Sequence, residues 1–169
     1  MQETFVNKVA ESGIVTINLE DFYIKGETAV FDLKDFLFMG LILKEKDYRA
    51  ALLATDWQMY AEKNIAITCT ADAIIPVWAY MLAASYLQPV AKEIIFGDEA
   101  ALINAVLLKN INKIQAEDYA DKRLVIKGCG DIHIPETAYV AITHHLRPYV
   151  KSIMYGEPCS TVPLYKAKN

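Results

Sequence analysis

The sequence is poor in the features that mark secreted, membrane-spanning or nucleic-acid-binding chains. Only three of its 169 residues are cysteines, Cys69, Cys129 and Cys159, and no two of them form a CxxC pair. An odd number rules out a complete disulfide framework, and the absence of CxxC removes zinc-ribbon and thioredoxin readings. The start, Met1-Gln2-Glu3-Thr4-Phe5, lacks a basic segment followed by an apolar run, so no signal peptide is expected. Free thiols and a cytoplasmic location are the expectation. No apolar run reaches the roughly 18 residues of a membrane span. The richest, Ala73–Leu87, reads as a core helix. There is no excess of positive charge: the net charge is −4 and the pI about 5.4. Neither nucleic acid nor an anionic membrane is an expected partner, because both require a basic surface. GxGxxG, Walker and GxSxG strings are missing too, so nucleotide binding and a nucleophile elbow have no direct support.

What is present is core material. Hydrophobic residues make up 54% and charged residues 22%, a balance suited to one α/β domain over residues 1–169. The clearest signal is a repeat. Tyr60–Gly97 aligns without gaps on Tyr119–Gly156 at an offset of 59 (119 − 60), with 14 identities in 38 positions. Ordinary residue usage gives about two or three by chance. The identities include Asp72/Asp131, Pro76/Pro135, Pro89/Pro148, Lys92/Lys151 and Gly97/Gly156, which helical periodicity alone does not align.

Each copy reads as strand, turn, helix, strand. The first strands are Asn64–Cys69 and Arg123–Lys127, apolar on both faces like buried parallel strands. The helices Pro76–Tyr86 and Pro135–Arg147 begin at proline and stop before the next one. The second strands are Glu93–Phe96 and Ser152–Tyr155. Two such βαβ units, related by a twofold axis along the strands, predict a Rossmann-like three-layer fold with one parallel sheet in the order 2-1-3-4. Segments 60–98 and 119–157 are the repeats. Segment 1–59 supplies a β-hairpin (Ile14–Leu19 with Ala29–Leu33) and helices at Asp35–Leu43 and Lys46–Leu53, and Glu99–Lys109 links the copies.

This sheet would place Cys69, Cys129 and Cys159 on one carboxyl edge, at the switch point where ligands bind in open α/β sheets. Two helix N-termini would point there and favour thiolates or anions. Cys69, Cys129 and Cys159, with Asp72 or Asp131, form the candidate metal site, for zinc or for iron in an iron–sulfur context. Each thiol taken singly is more often a small buried hydrophobe, and Asp72 and Asp131 are first of all candidate helix caps. His133 is a candidate fourth ligand. His144 and His145 sit late in a helix and should be solvated. Trp78, Tyr80, Met81 and Tyr86 should be core, and Gly156–Pro163 a hydroxyl-rich loop.

The strings Phe31-Asp32-Leu33-Lys34-Asp35-Phe36-Leu37-Phe38, Ala71-Asp72-Ala73-Ile74-Ile75-Pro76-Val77-Trp78-Ala79-Tyr80-Met81 and Met154-Tyr155-Gly156-Glu157-Pro158-Cys159-Ser160-Thr161-Val162-Pro163 resemble an uncharacterised bacterial family, domain of unknown function 2480, over nearly the whole chain. The resemblance implies no reaction and no catalytic roles. It implies a neighbourhood of iron–sulfur assembly genes. The expected function is therefore a thiolate-rich, metal-binding or iron–sulfur-related accessory protein. The alternatives are a thiol-dependent enzyme or small-anion binder, and an interaction module with inert cysteines that binds a protein partner or a second copy of itself.

Overall fold

Both runs expected to be buried parallel strands become the inner strand of a sheet, but of two different sheets. The computed structural model describes residues 13–128, 130–157 and 160–168. In chain order the strands and α-helices are β1 (Ile14–Asn18), β2 (Thr28–Asp32), α1 (Glu45–Ala54), β3 (Asn64–Thr68), α2 (Val77–Leu87), β4 (Glu93–Phe96), α3 (Glu99–Asn112), β5 (Arg123–Lys127), α4 (Glu136–Leu146), β6 (Ser152–Glu157) and β7 (Ser160–Lys166). The chain divides into a central unit, Ile24–Val106, and a terminal unit, Met1–Tyr23 with Leu107–Asn169.

In the central unit the sheet runs β2-β3-β4, all parallel; in the terminal unit it runs β1-β5-β6-β7, with β7 antiparallel to β6. This replaces the expected single sheet of order 2-1-3-4. A strand has two edges. Those of β3 are taken by β2 and β4, and those of β5 by β1 and β6, so β3 and β5 are not neighbours. The expected β1–β2 hairpin is absent for the same reason, because each strand pairs in parallel with the inner strand of its own unit. The loop expected over Gly156–Pro163 is in large part strand, and Pro163 sits on β7, the sheet edge, where a missing N–H is tolerated.

The repeated segments form the same elements in the same places. β3 and β5, α2 and α4, and the starts of β4 and β6 are each displaced by 59 (123 − 64, 136 − 77, 152 − 93). So are the short 3-10 turns Trp57–Tyr60 and Ala116–Tyr119. Glu62 and Asp121, also 59 apart, both take φ of 58°. Their amides donate to Val90 O (2.9 Å) and Tyr149 O (3.0 Å), again equivalent positions. These bonds hold a left-handed backbone that non-glycine residues rarely adopt.

Ile65 and Ile67 of β3 bury one face of the central sheet against Phe31, Tyr48, Leu52, Ala79, Ala83 and Leu87. Ala66, between them, turns to the other face, against Leu102 and Val106 of α3. That alternation covers the sheet on both sides. In the terminal unit Leu124 and Ile126 pack on Ala138, Ile142 and Leu146 of α4, with Leu107 and Ile111 from the second half of α3. Of the residues expected as core, Tyr80 and Tyr86 are half-buried, whereas Met81 is exposed. No helix among the described residues is long and apolar enough to cross a membrane.

Candidate functional site

β1 and β2 each end on a polar residue that caps the following turn: Asn18 accepts from the Glu20 amide (3.2 Å) and Asp32 from the Lys34 amide (3.0 Å). At the carboxyl edge of the central sheet Asp32 does more. It also accepts from the Thr70 amide (3.0 Å) and the Thr70 hydroxyl (2.5 Å), tying the end of β2 to the loop after β3. Burial pushes the Asp32 carboxyl up. The Thr70 and Lys34 hydrogen bonds and the Lys34 ammonium outweigh it and hold the group below the usual carboxylate range.

Cys69 lies between β3 and Thr70, half-buried, and its Sγ is 3.8 Å from Ala71 O. Tyr80 of α2 stands beside it. Burial, then the proximity of Cys69 and Asp32, raises the Tyr80 phenol, whose ring meets Phe96 edge-on at 5.1 Å. Asp72 is exposed, and α2 begins at Pro76 without a side-chain cap. Asp131 is likewise exposed, and α4 begins at Pro135 without one. The capping expectation for both aspartates therefore fails. The Pro76 and Pro135 carbonyls instead accept from Ala79 (2.9 Å) and Ala138 (3.0 Å), which closes each first turn.

The equivalent edge of the terminal unit is built differently. The counterpart of Cys69 is Gly128 (69 + 59). A Cβ there would lie 2.5 Å from the Tyr139 hydroxyl, so tyrosine fills the space a thiol side chain would need. Cys129 and Cys159 lie outside the described residues. The strands before them are defined: β5 ends at Lys127 and β6 at Glu157, and Lys127 Nζ pairs with Glu157 Oε1 at 3.2 Å. Asp131 and His133 are exposed in the loop that follows. Glu20 Oε1 is buried without a hydrogen-bond partner, packed against Gly130 where any Cβ would collide with it. His145 is not simply solvated: its Nε2 lies 2.8 Å from Ile114 O.

The three cysteines therefore do not follow strands of one sheet, as expected. Cys69 follows a strand of the central unit, whereas Cys129 and Cys159 follow strands of the terminal unit. Among the described residues no three of His, Cys, Asp and Glu stand together as a metal site. Sequence reasoning missed a groove of about 380 Å³ in the terminal unit, lined by Ile126, Tyr139, Val140, Tyr155 and Leu164, with Glu136 as its one charged side chain. Leu164 comes from β7, which the composition of its loop-like sequence concealed.

Comparison with known families places the chain. A family model described as Protein of unknown function (DUF2480) matches residues 3–167. The chain belongs to this family. No curated protein and no solved structure matches it. Membership of the DUF2480 family agrees with the resemblance carried by Phe31–Phe38, Ala71–Met81 and Met154–Pro163, and brings no reaction, ligand or partner with it.

Proposed function

We propose that this DUF2480 protein is a thiolate-dependent metal-handling protein, iron–sulfur-related in the sense of carrying a metal or cluster transiently. Its ligands are Cys129 and Cys159, joined by Asp131 or His133. The observation that carries this reading is topological. Each cysteine is the second residue past the end of its strand (129 − 127; 159 − 157), and those strands, β5 and β6, are hydrogen-bonded parallel neighbours. Adjacent strands run about 4.8 Å apart, the separation from which two thiolates can reach one zinc or iron. The Lys127–Glu157 pair links the two strand ends. The repeated βαβ pattern fits this reading: in both copies a cysteine follows the first strand within two residues in sequence, and only the terminal copy adds a second, two residues past β6.

Metal analysis of untagged protein tests this. Reconstituted with zinc, or with ferrous iron and sulfide, the wild type should hold metal, and Cys129→Ser or Cys159→Ser should lower its content at least tenfold. Cys69→Ser should leave it near wild type. A wild type that stays metal-free overturns the reading, as does a Cys69→Ser variant that loses the most metal.

Cys69 supports a second reading, a thiol-dependent enzyme or small-anion binder at the central edge. Its half-buried sulfur lies beside Tyr80 and near the start of α2. Thiol-modification rates followed against pH decide it: a functional Cys69 reacts well below pH 8, and an inert one does not.

A further inference from the structure

The two units differ at one sheet edge. In the terminal unit β6 carries β7 on its outer side, where Ile153 pairs with Tyr165 and Tyr155 with Val162. In the central unit β4 occupies the corresponding place, and among the described residues no strand lies beyond it. The Gly97 amide donates inward to Ile67 O at 2.9 Å. With the two-residue period of a strand, Ile95 also turns its backbone to β3, while Ile94 and Phe96 turn theirs outward. Ile94 and Phe96 are the counterparts of Ile153 and Tyr155 (94 + 59; 96 + 59), the residues that β7 engages. Ile153 is fully buried, but Ile94 is only half-buried.

The surface beside this edge is apolar. Phe96 is 69% exposed, and on α2 Val77 is 74% and Met81 67% exposed. Tyr80 reaches Phe96. At about 100° per residue, Val77 and Met81 lie round from Tyr80 on the side away from the buried Ala79–Ala83–Leu87 stripe. The same positions on α4, Glu136 and Val140, line the terminal groove together with Leu164 of β7. The central unit presents this groove without its β7 wall.

We infer that β4 pairs antiparallel with β4 of a second copy of this chain, making one sheet in the order β2-β3-β4-β4-β3-β2 about a twofold axis. The hydrogen-bonding phase selects a register. Ile94 stands opposite Phe96 of the second copy, both with outward backbone groups, and Ile95 stands opposite Ile95. That register brings Lys92, exposed just before β4, toward Asp98 of the second copy, exposed just after it, so the two ends of the paired strands carry opposite charge in both directions. β4 contains no proline and pairs with β3 without a bulge, two devices that blunt sheet edges elsewhere.

The helices fit the same arrangement. α2 packs on both β3 and β4, so the axis brings the two α2 helices two strand spacings apart, about 9.6 Å. Packed helices sit about 8–10 Å apart, and here Val77 and Met81 fill the seam. A four-residue edge and these side chains cover less than the roughly 800 Å² per partner of a stable complex. The dimer is therefore concentration-dependent.

Sedimentation velocity on the full chain tests it. The wild type should convert from monomer to dimer between about 1 and 100 μM, the range for a modest interface. Val77→Glu combined with Met81→Glu, both at exposed positions, should keep the circular dichroism spectrum and raise the dissociation constant at least tenfold. In a chain whose three cysteines are replaced by serine, Ile95→Cys should cross-link to itself under mild oxidation. Its non-hydrogen-bonded partner lies at a Cα distance of about 4.5 Å, within disulfide range. A wild type that stays monomeric at about 100 μM overturns the inference, even if a foreign extended peptide then binds β4. So does a dimer that the paired glutamates leave unchanged, or an Ile95→Cys chain that does not cross-link.

Discussion

Position 69 and its counterpart 128 show how single residues divide two similar edges. Cysteine fits beside Tyr80 in one unit, and only glycine fits under Tyr139 in the other. Two buried polar residues anchor the central unit. Asn64 is fully buried, and its Nδ2 donates to Lys25 O (3.1 Å) and Glu27 O (3.2 Å), pinning the turn before β2 to β3. Asn64→Ala removes both bonds and should cost about 2 kcal/mol in urea denaturation. Tyr48 is fully buried, and its hydroxyl donates to Ala79 O at 2.9 Å. Burial, with Tyr80 nearby, pushes its phenol up to about 12. Tyr48→Phe should cost about 1 kcal/mol and leave the fold intact. Asp32 should give the central edge a pH dependence. Because its folded value is depressed, its contribution is present above about pH 4 and is lost as pH falls through the lower folded value. Urea denaturation between about pH 7 and 3 should show the wild type's advantage over Asp32→Asn shrinking only below about pH 4.

At the scale of elements, the helices and strands of the repeat were legible because their signals are local. β-Branched runs, the Ile-Pro helix starts and the stops before Pro89 and Pro148 all act within a few residues. What was not legible was the partner of each strand. β1 and β2 each run into a polar cap and a 3-10 turn, Leu19–Phe22 and Leu33–Phe36, which share Leu, Asp and Phe at an offset of 14 (33 − 19). That short echo marks them as equivalent first strands of two sheets, whereas the glycine-centred Lys25-Gly26-Glu27 between them is a local turn pattern that suits a hairpin equally well. Equivalent positions should respond alike where packing is alike. Ile67→Ala and Ile126→Ala should each cost about 2–5 kcal/mol, since both side chains are nearly fully buried. They should differ where the edges differ: measured below dimerising concentrations, Ile153→Ala should cost more than Ile94→Ala, by about 1 kcal/mol or more.

At the scale of the molecule, the chain forms two sheets, each with its own core. Hydrogen exchange should report this as slowest amide exchange in the inner strands β3 and β5, each bonded on both sides. Equal protection of the edge strands would contradict that pairing. The sequence by itself determined the α/β class, the strand–helix–strand order of residues 60–97 and 119–156 with its helix starts, and the family. All of these rest on local patterns or direct residue identity. Only the tertiary structure decided that the two segments build separate sheets, that β7 covers β6 while no described strand lies beyond β4, and that Cys69 belongs with one sheet and the strands before Cys129 and Cys159 with another. Strand pairing is set by which apolar faces meet across long stretches of chain, and a strand apolar on both faces carries no local mark of its neighbour.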